Sequence, residues 1–118
     1  MRSLFISLIA LGLLASVPAN AHAFLVSANP PVGSEVPSAN TIRLEFSEAV
    51  ELPFSGITLL NAGGQSVTLK SVHADGANRK VLVADVPELV PGAYHVKWHV
   101  ASVDTHKTEG DFMFRLKR

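Results

Sequence analysis

The feature that most constrains the fold is the alternation of apolar and polar residues with a period of two. Ile42, Leu44 and Phe46, for example, alternate with polar residues. Successive side chains of a β-strand point to opposite faces of its sheet, so this pattern predicts a half-buried strand. Similar segments separated by turns rich in Pro, Gly, Asn and Asp predict about seven strands, at residues 24–28, 41–46, 55–60, 65–72, 80–86, 93–100 and 111–117.

About seven short strands with regular turns are typical of a Greek-key β-sandwich or barrel with an immunoglobulin-like architecture. The chain has 118 residues, which is room for one such domain, and we place it at residues 22–118. Trp98 is the single tryptophan and lies on the apolar side of its strand with Val96 and Val100. We therefore expect an all-β domain in which Trp98 packs in the core between two sheets.

Residues 1–21 have the features of a secretory signal peptide. Arg2 provides a positive charge, residues 4–17 are almost all apolar, and Ala19 and Ala21 form the small-residue pattern of a cleavage site. The apolar run is shorter than the roughly 20 residues of a membrane-spanning helix, although an uncleaved anchor is an alternative. We therefore expect cleavage after Ala21, export, and no membrane insertion afterwards.

The composition argues against several classes of function. Ten Lys and Arg balance ten Asp and Glu, whereas proteins that bind nucleic acids or anionic lipids need a basic surface. The absence of cysteine excludes zinc sites that use thiolates. The sequence has neither a Gly-rich phosphate loop nor a nucleophile elbow, so it gives no sign of an enzyme of those kinds.

His22 becomes chemically important if cleavage follows Ala21, because the first residue then carries a free α-amine as well as an imidazole. The two groups can chelate one metal ion, and nitrogen donors in one plane suit the tetragonal geometry of Cu(II). An α-amine has a pKa of about 7.7–8.0, so a metal can displace its proton near neutral pH. The alternative is that His22 is only a frayed first residue.

Asp104 and His106, separated by one residue, form a second candidate. In an extended segment their side chains would point to one face, where both could bind a metal or the carboxylate could orient the imidazole. A polar loop before the last strand is the alternative. His95 and His99 are four residues apart on one strand face, too far to share an ion, and we expect them to face solvent. The sequence suggests no partner for His73.

Several segments, taken together with His22, resemble the CopC (copper resistance protein C) family of periplasmic copper-binding proteins. They are residues 25–30, 44–48, 92–98, 102–106, 110 and 112–114. The resemblance implies a seven-stranded Greek-key fold and a site for one Cu(II) ion per chain. His22 would supply its amine and imidazole, His106 an imidazole, and Asp104 a carboxylate at or near the metal. Glu48 would be a weak outer ligand or a hydrogen-bond partner that orients the site.

The resemblance also implies a function in copper homeostasis and resistance. The protein would carry or buffer Cu(II) in the periplasm, exchange it with an inner-membrane copper transporter, and not act as an enzyme. Some members of the family have an additional methionine-rich Cu(I) site, but Met113 is the only methionine after the leader, so we expect the Cu(II) site alone. The alternatives are a copper-dependent oxidative enzyme of the histidine-brace type and a metal-free interaction module.

Overall fold

The computed structural model describes residues 23–118, so the predicted leader and His22 lie outside the described residues. Within residues 23–118, no helix is long and apolar enough to cross a membrane. This part of the chain contains nine strands and one short 3-10 helix. The strands are β1 (Leu25–Asn29), β2 (Glu35–Val36), β3 (Thr41–Phe46), β4 (Gly56–Leu60), β5 (Ser66–Val67), β6 (Ser71–Asp75), β7 (Asn78–Asp85), β8 (Gly92–Ala101) and β9 (Lys107–Leu116), and the 3-10 helix is Leu52–Phe54.

The strands form two sheets around one hydrophobic core, which confirms the predicted all-β sandwich. One sheet has the strand order β1-β3-β7-β6 and the other has the order β2-β9-β8-β4-β5. The apolar side of β3, with Ile42, Leu44 and Phe46, is fully buried against residues of the second sheet. The alternation in the sequence therefore arises as expected, because one face of each sheet packs against the other sheet and the opposite face is in contact with solvent.

Two parts of the strand prediction were wrong. The expected strand at residues 65–72 is two strands, because β5 pairs with β4 in one sheet and β6 pairs with β7 in the other. Val67, Leu69 and Val72 all pack against the core as the chain crosses between the sheets, but the spacing changes from two residues to three after Leu69. The second difference is β2, a two-residue strand in a turn-rich segment, which pairs in parallel with the end of β9.

Trp98 packs in the core as predicted and joins the two sheets. Its side chain is buried, and its ring meets the ring of Phe46 edge-to-face with centroids 5.1 Å apart. Gly110 lies directly opposite Trp98 in β9. A Cβ atom at Gly110 would lie 2.5 Å from Cζ2 of the indole, so the indole occupies the space of a side chain there.

Strand pairing brings three distant segments to one end of the sandwich. β8 and β9 form a hairpin whose last pair is Ala101 and Lys107, so the loop at residues 102–106 emerges at this end. Ser102 also forms an isolated bridge with Val50, which follows the end of β3. β1 begins at the same end, because Leu25 pairs with Phe46. We call this region the loop end of the sandwich, formed by residues 23–24, 47–51 and 102–106.

Candidate metal centre

The loop between β8 and β9 is a tight turn, and not the extended segment that would put Asp104 and His106 on one face of a strand. The backbone N–H of Thr105 donates to the carbonyl of Ser102 over 2.8 Å, and the N–H of Ser102 donates to the carbonyl of His106 over 2.9 Å. Thr105 has a φ of 72°, a conformation that residues other than glycine rarely adopt. The reversal of the chain, not strand alternation, brings Asp104 and His106 together.

Asp104 accepts several hydrogen bonds in this turn. Its Oδ1 accepts a hydrogen bond from the hydroxyl of Ser102, a residue that is only 1% exposed. The backbone N–H of His106 also donates to Oδ1, over 3.4 Å. The Ser102 hydroxyl, and to a smaller extent His106, lower the pKa of Asp104 to about 2. Asp104 is therefore a carboxylate at every physiological pH.

The imidazole of His106 is oriented by the same carboxylate. Its Nδ1 lies 3.2 Å from Oδ1 of Asp104, and the two side chains are 51% and 44% exposed. A neutral imidazole whose Nδ1–H donates to a carboxylate has its lone pair on Nε2, which is the arrangement that metal-binding histidines commonly use. The turn therefore presents an oriented imidazole and a carboxylate at an accessible surface.

Glu48 lies at the loop end, in the exposed bend that follows β3. Its neighbour Ser47 is hydrogen-bonded to Phe24 in both directions. Val50, two residues further along, is the bridge partner of Ser102. The fold thus brings this glutamate, which is more than 50 residues from His106 in sequence, to the same end as the turn.

The start of the described chain is fixed at the loop end. The hydroxyl of Thr108 donates to the carbonyl of Ala23 over 2.6 Å, and Ala23 is 1% exposed within the core cluster. Thr108 follows His106 by two residues in the chain. Sequence reasoning gave no role to Thr108 or Ser47, because a threonine and a serine 85 and 23 residues from their partners carry no local signal.

The described residues supply a pair of donors and not a complete metal site. Within residues 23–118, no group of three or more His, Cys, Asp and Glu side chains is placed to hold a metal ion. Asp104 and His106 are the two such side chains that are in contact at this turn. His22 is the sequence neighbour of Ala23 and lies outside the described residues.

The other three histidines lie on the outer surfaces of the sheets. His95 contacts Asp111 of the neighbouring strand β9, with Nε2 and Oδ2 2.5 Å apart. His99 lies over Gly56, where a Cβ atom would be 2.7 Å from its Cε1. These positions agree with the prediction that His95 and His99 are surface residues of one strand.

His73, for which the sequence suggested no partner, bonds through both ring nitrogens. Nδ1 lies 2.9 Å from the carbonyl oxygen of Ala74 and Nε2 lies 3.0 Å from a carboxylate oxygen of Asp85. Those two acceptors raise the pKa of His73, with the carbonyl as the larger cause. Asp85 is on the adjacent strand β7, so only the pairing of β6 with β7 reveals the contact.

Residues 25–117 match the family model described as the CopC domain. The chain belongs to the CopC family. Copper resistance protein C of Pseudomonas syringae pv. tomato is 34% identical over 122 residues, which cover 98% of this chain and 97% of that protein. Protein YobA of Escherichia coli K12 is 37% identical over 99 residues, which cover 82% of this chain and 80% of that protein.

A solved structure of a family member has the same fold. The crystal structure of CopC from Methylosinus trichosporium OB3b matches with a TM-score of 0.76 and 33% identity, over 81% of this chain and 94% of that one. These comparisons confirm the CopC resemblance and the β-sandwich. They also place the chain in a family of copper resistance proteins, which supports a function related to copper.

Proposed function

We propose that the protein is exported, cleaved after Ala21, and binds one Cu(II) ion at the loop end. The amine and imidazole of His22 and the imidazole of His106 supply the nitrogen donors. Asp104 lies at or near the metal, and Glu48 is a weak outer ligand or orients the site. The protein carries or buffers copper in the periplasm as part of copper homeostasis and resistance.

The observation that supports this proposal most directly is the hydrogen bond between Thr108 and Ala23. Thr108 is two residues from His106, which corresponds to about 7 Å along a strand. Consecutive Cα atoms are about 3.8 Å apart, so a chain that begins at His22 has its first residue directly beside this anchor. This proximity supports the proposal that the amine and imidazole of His22 bind the same ion as His106.

The chemistry of the donors favours copper over calcium or magnesium. Imidazole and amine nitrogens suit Cu(II), whereas calcium and magnesium prefer sites made entirely of oxygen. Oδ1 of Asp104 already accepts hydrogen bonds from Ser102 and His106. Those contacts support an orienting role for Asp104, in which it fixes the tautomer and direction of the imidazole.

The exposure of the turn suits a protein that exchanges its metal. About half of the His106 side chain is accessible, so a partner can approach the ion. Phe24, Phe54 and Val103 are each more than half exposed at or beside the loop end. Exposed apolar side chains grouped around a site are typical of a contact surface, which supports an inner-membrane copper transporter as the exchange partner. This function is binding and transfer, without catalysis.

The test compares two exported forms, one that begins at His22 and one with a single extra alanine before His22. Mass spectrometry verifies each N-terminus, and Cu(II) binding is measured by competition titration and electron paramagnetic resonance. We expect tight binding and a nitrogen-rich tetragonal spectrum only when His22 is the first residue. Equal behaviour of the two forms would show that the α-amine is not a ligand and would contradict the proposal.

A further inference from the structure

The first described residues are held by side chains from both sheets. Ala23 accepts a hydrogen bond from the hydroxyl of Thr108, on β9 of the second sheet, over 2.6 Å. Phe24 donates its N–H to the hydroxyl oxygen of Ser47 over 3.0 Å, and its carbonyl accepts from the N–H of Ser47 over 2.9 Å. Ser47 directly follows β3 of the first sheet. We call Thr108 and Ser47 the N-terminal clasp.

The clasp joins Ala23 and Phe24 to the two sheets through three hydrogen bonds. Terminal residues generally fray unless specific contacts fix them. Here Ala23 is 1% exposed although the next residue, Phe24, is 55% exposed. The bond from Thr108 is itself partly buried, so water competes for it less than at an exposed terminus.

We infer that the clasp positions the copper site, with Thr108 as its main positioning residue; this inference rests on the proposed function. Thr108 and His106 are two residues apart, and the carbonyl that Thr108 holds belongs to the residue after His22. The clasp therefore holds Ala23, the residue after His22, close to the segment that carries the histidine of the turn. Neither clasp residue binds the metal.

The clasp should raise the affinity for Cu(II), because it restricts the conformations of the N-terminal residues before the metal binds. A first residue on a flexible tail must be ordered when the metal binds, and that ordering weakens the binding. Outer residues that orient metal ligands typically change affinity by about 10–100-fold. We expect the loss of the Thr108 hydroxyl to fall in the lower part of that range.

The clasp is tested with the processed protein, purified after export and verified to begin at His22. Thr108→Val keeps the branched shape of the side chain and removes the donor, whereas Thr108→Ser keeps the hydroxyl. Thr41→Val is the matched control, because Thr41 is an exposed strand residue at the opposite end of β3. Each protein is titrated with Cu(II) against a competing chelator, its paramagnetic resonance spectrum is recorded, and its metal-free Tm is measured.

We expect Thr108→Val to bind Cu(II) at least about tenfold more weakly and to show altered nitrogen hyperfine structure. Thr108→Ser should restore both properties, and Thr41→Val should resemble the wild type. A purely structural role would lower the metal-free Tm without changing the spectrum of the copper that still binds. Ser47→Ala, which removes only the acceptor for Phe24, provides a second and milder variant if Thr108→Val fails to fold.

The outcomes separate this inference from the proposed function. If the wild type binds Cu(II) tightly, His106→Ala abolishes binding, and folded Thr108→Val or Ser47→Ala has the affinity and spectrum of the wild type, the clasp inference is wrong and the proposed function stands. If the verified wild type does not bind Cu(II), both are wrong, because there is then no site for the clasp to position.

Discussion

His106 and His95 each contact an aspartate, but the surroundings of the two pairs differ. His106 and Asp104 lie in a turn, where the buried hydroxyl of Ser102 holds the carboxylate. His95 and Asp111 lie on two neighbouring strands of an outer sheet face. Of these two pairs, the first is the one near Ala23, which the hydroxyl of Thr108 holds. A histidine–aspartate contact therefore does not by itself indicate a metal centre; the position of further donors matters.

The largest expected effect distinguishes these two histidines directly. His106→Ala removes a proposed metal ligand and should weaken Cu(II) binding by about 100-fold or more. His95→Ala removes only a surface contact and should change the affinity by less than about twofold. Competition titration of the processed proteins measures both values. Similar losses for the two variants would show that the comparison assigns the wrong histidine.

A second prediction distinguishes the packing of the β8–β9 hairpin, which should affect stability, from the turn at its end, which should affect copper binding. Gly110→Ala places a Cβ atom against the rigid indole of Trp98 and should lower the free energy of unfolding by about 1–3 kcal/mol. Gly63→Ala is the matched control, because its Cβ would meet nothing closer than 3.5 Å. Denaturant titration provides the measurement.

Copper binding by folded Gly110→Ala should remain close to that of the wild type, because Gly110 contacts the core and not the turn. A stability equal to that of Gly63→Ala would mean that the indole can move aside. In that case the packing of Trp98 is not the reason for a glycine in the middle of β9.

A third prediction concerns the hydroxyl that distinguishes the Asp104 pair from the Asp111 pair. Ser102→Ala removes the main cause of the lowered pKa of Asp104, so that pKa should rise from about 2 toward its usual value of 3.8. Cu(II) affinity should fall about tenfold, because the carboxylate then orients His106 less well. Carbon-detected NMR titration of the metal-free protein measures the pKa, and an unchanged value would exclude Ser102 as its cause.

The smallest expected effect concerns the third pair, His73 and Asp85. The pKa of His73 is raised, so its stabilising contribution is complete below about pH 6.5 and is lost as the pH rises through the folded-state value. The pKa of Asp85 is lowered, so its contribution is present above about pH 4 and is lost at more acid pH. Both groups are exposed, and the pair should affect Tm by only a few degrees at most.

Metal-free His73→Gln should therefore lose less stability than the wild type between pH 6 and pH 8. His99→Gln on the other sheet is the control, and it should keep the pH dependence of the wild type. Thermal unfolding across this range measures both. An identical pH dependence in His73→Gln and wild type would show that the contacts of His73 do not affect stability.

Much of the fold could be predicted because the signal is local. Ile42, Leu44 and Phe46 reveal their strand within six residues, and Trp98 was placed in the core from its own segment. The prediction failed at residues 65–72, where Val67, Leu69 and Val72 all pack against the core although the chain changes sheets between them. Hydrophobic alternation reports which side faces the core and not which sheet a strand joins.

The candidate site was predicted only in part. Asp104 and His106 could be found because they are close in sequence, although they lie in a turn with Thr105 at positive φ and not in an extended segment. The assigned roles of His22, Asp104, His106 and Glu48 remain predictions. Ser47 and Thr108 could not be found, because their partners are distant in sequence and a single hydroxyl in a strand is common.

The sequence by itself determined the all-β class, the core side of most strands, and the types of donor available to a metal. It could do so because side-chain direction in a strand and the chemistry of a residue are local properties. Only the tertiary structure decided that residues 23–24, 47–51 and 102–106 meet at one end, since antiparallel pairing joins segments far apart in the chain. That meeting places the histidine of the turn near Ala23, which Thr108 holds.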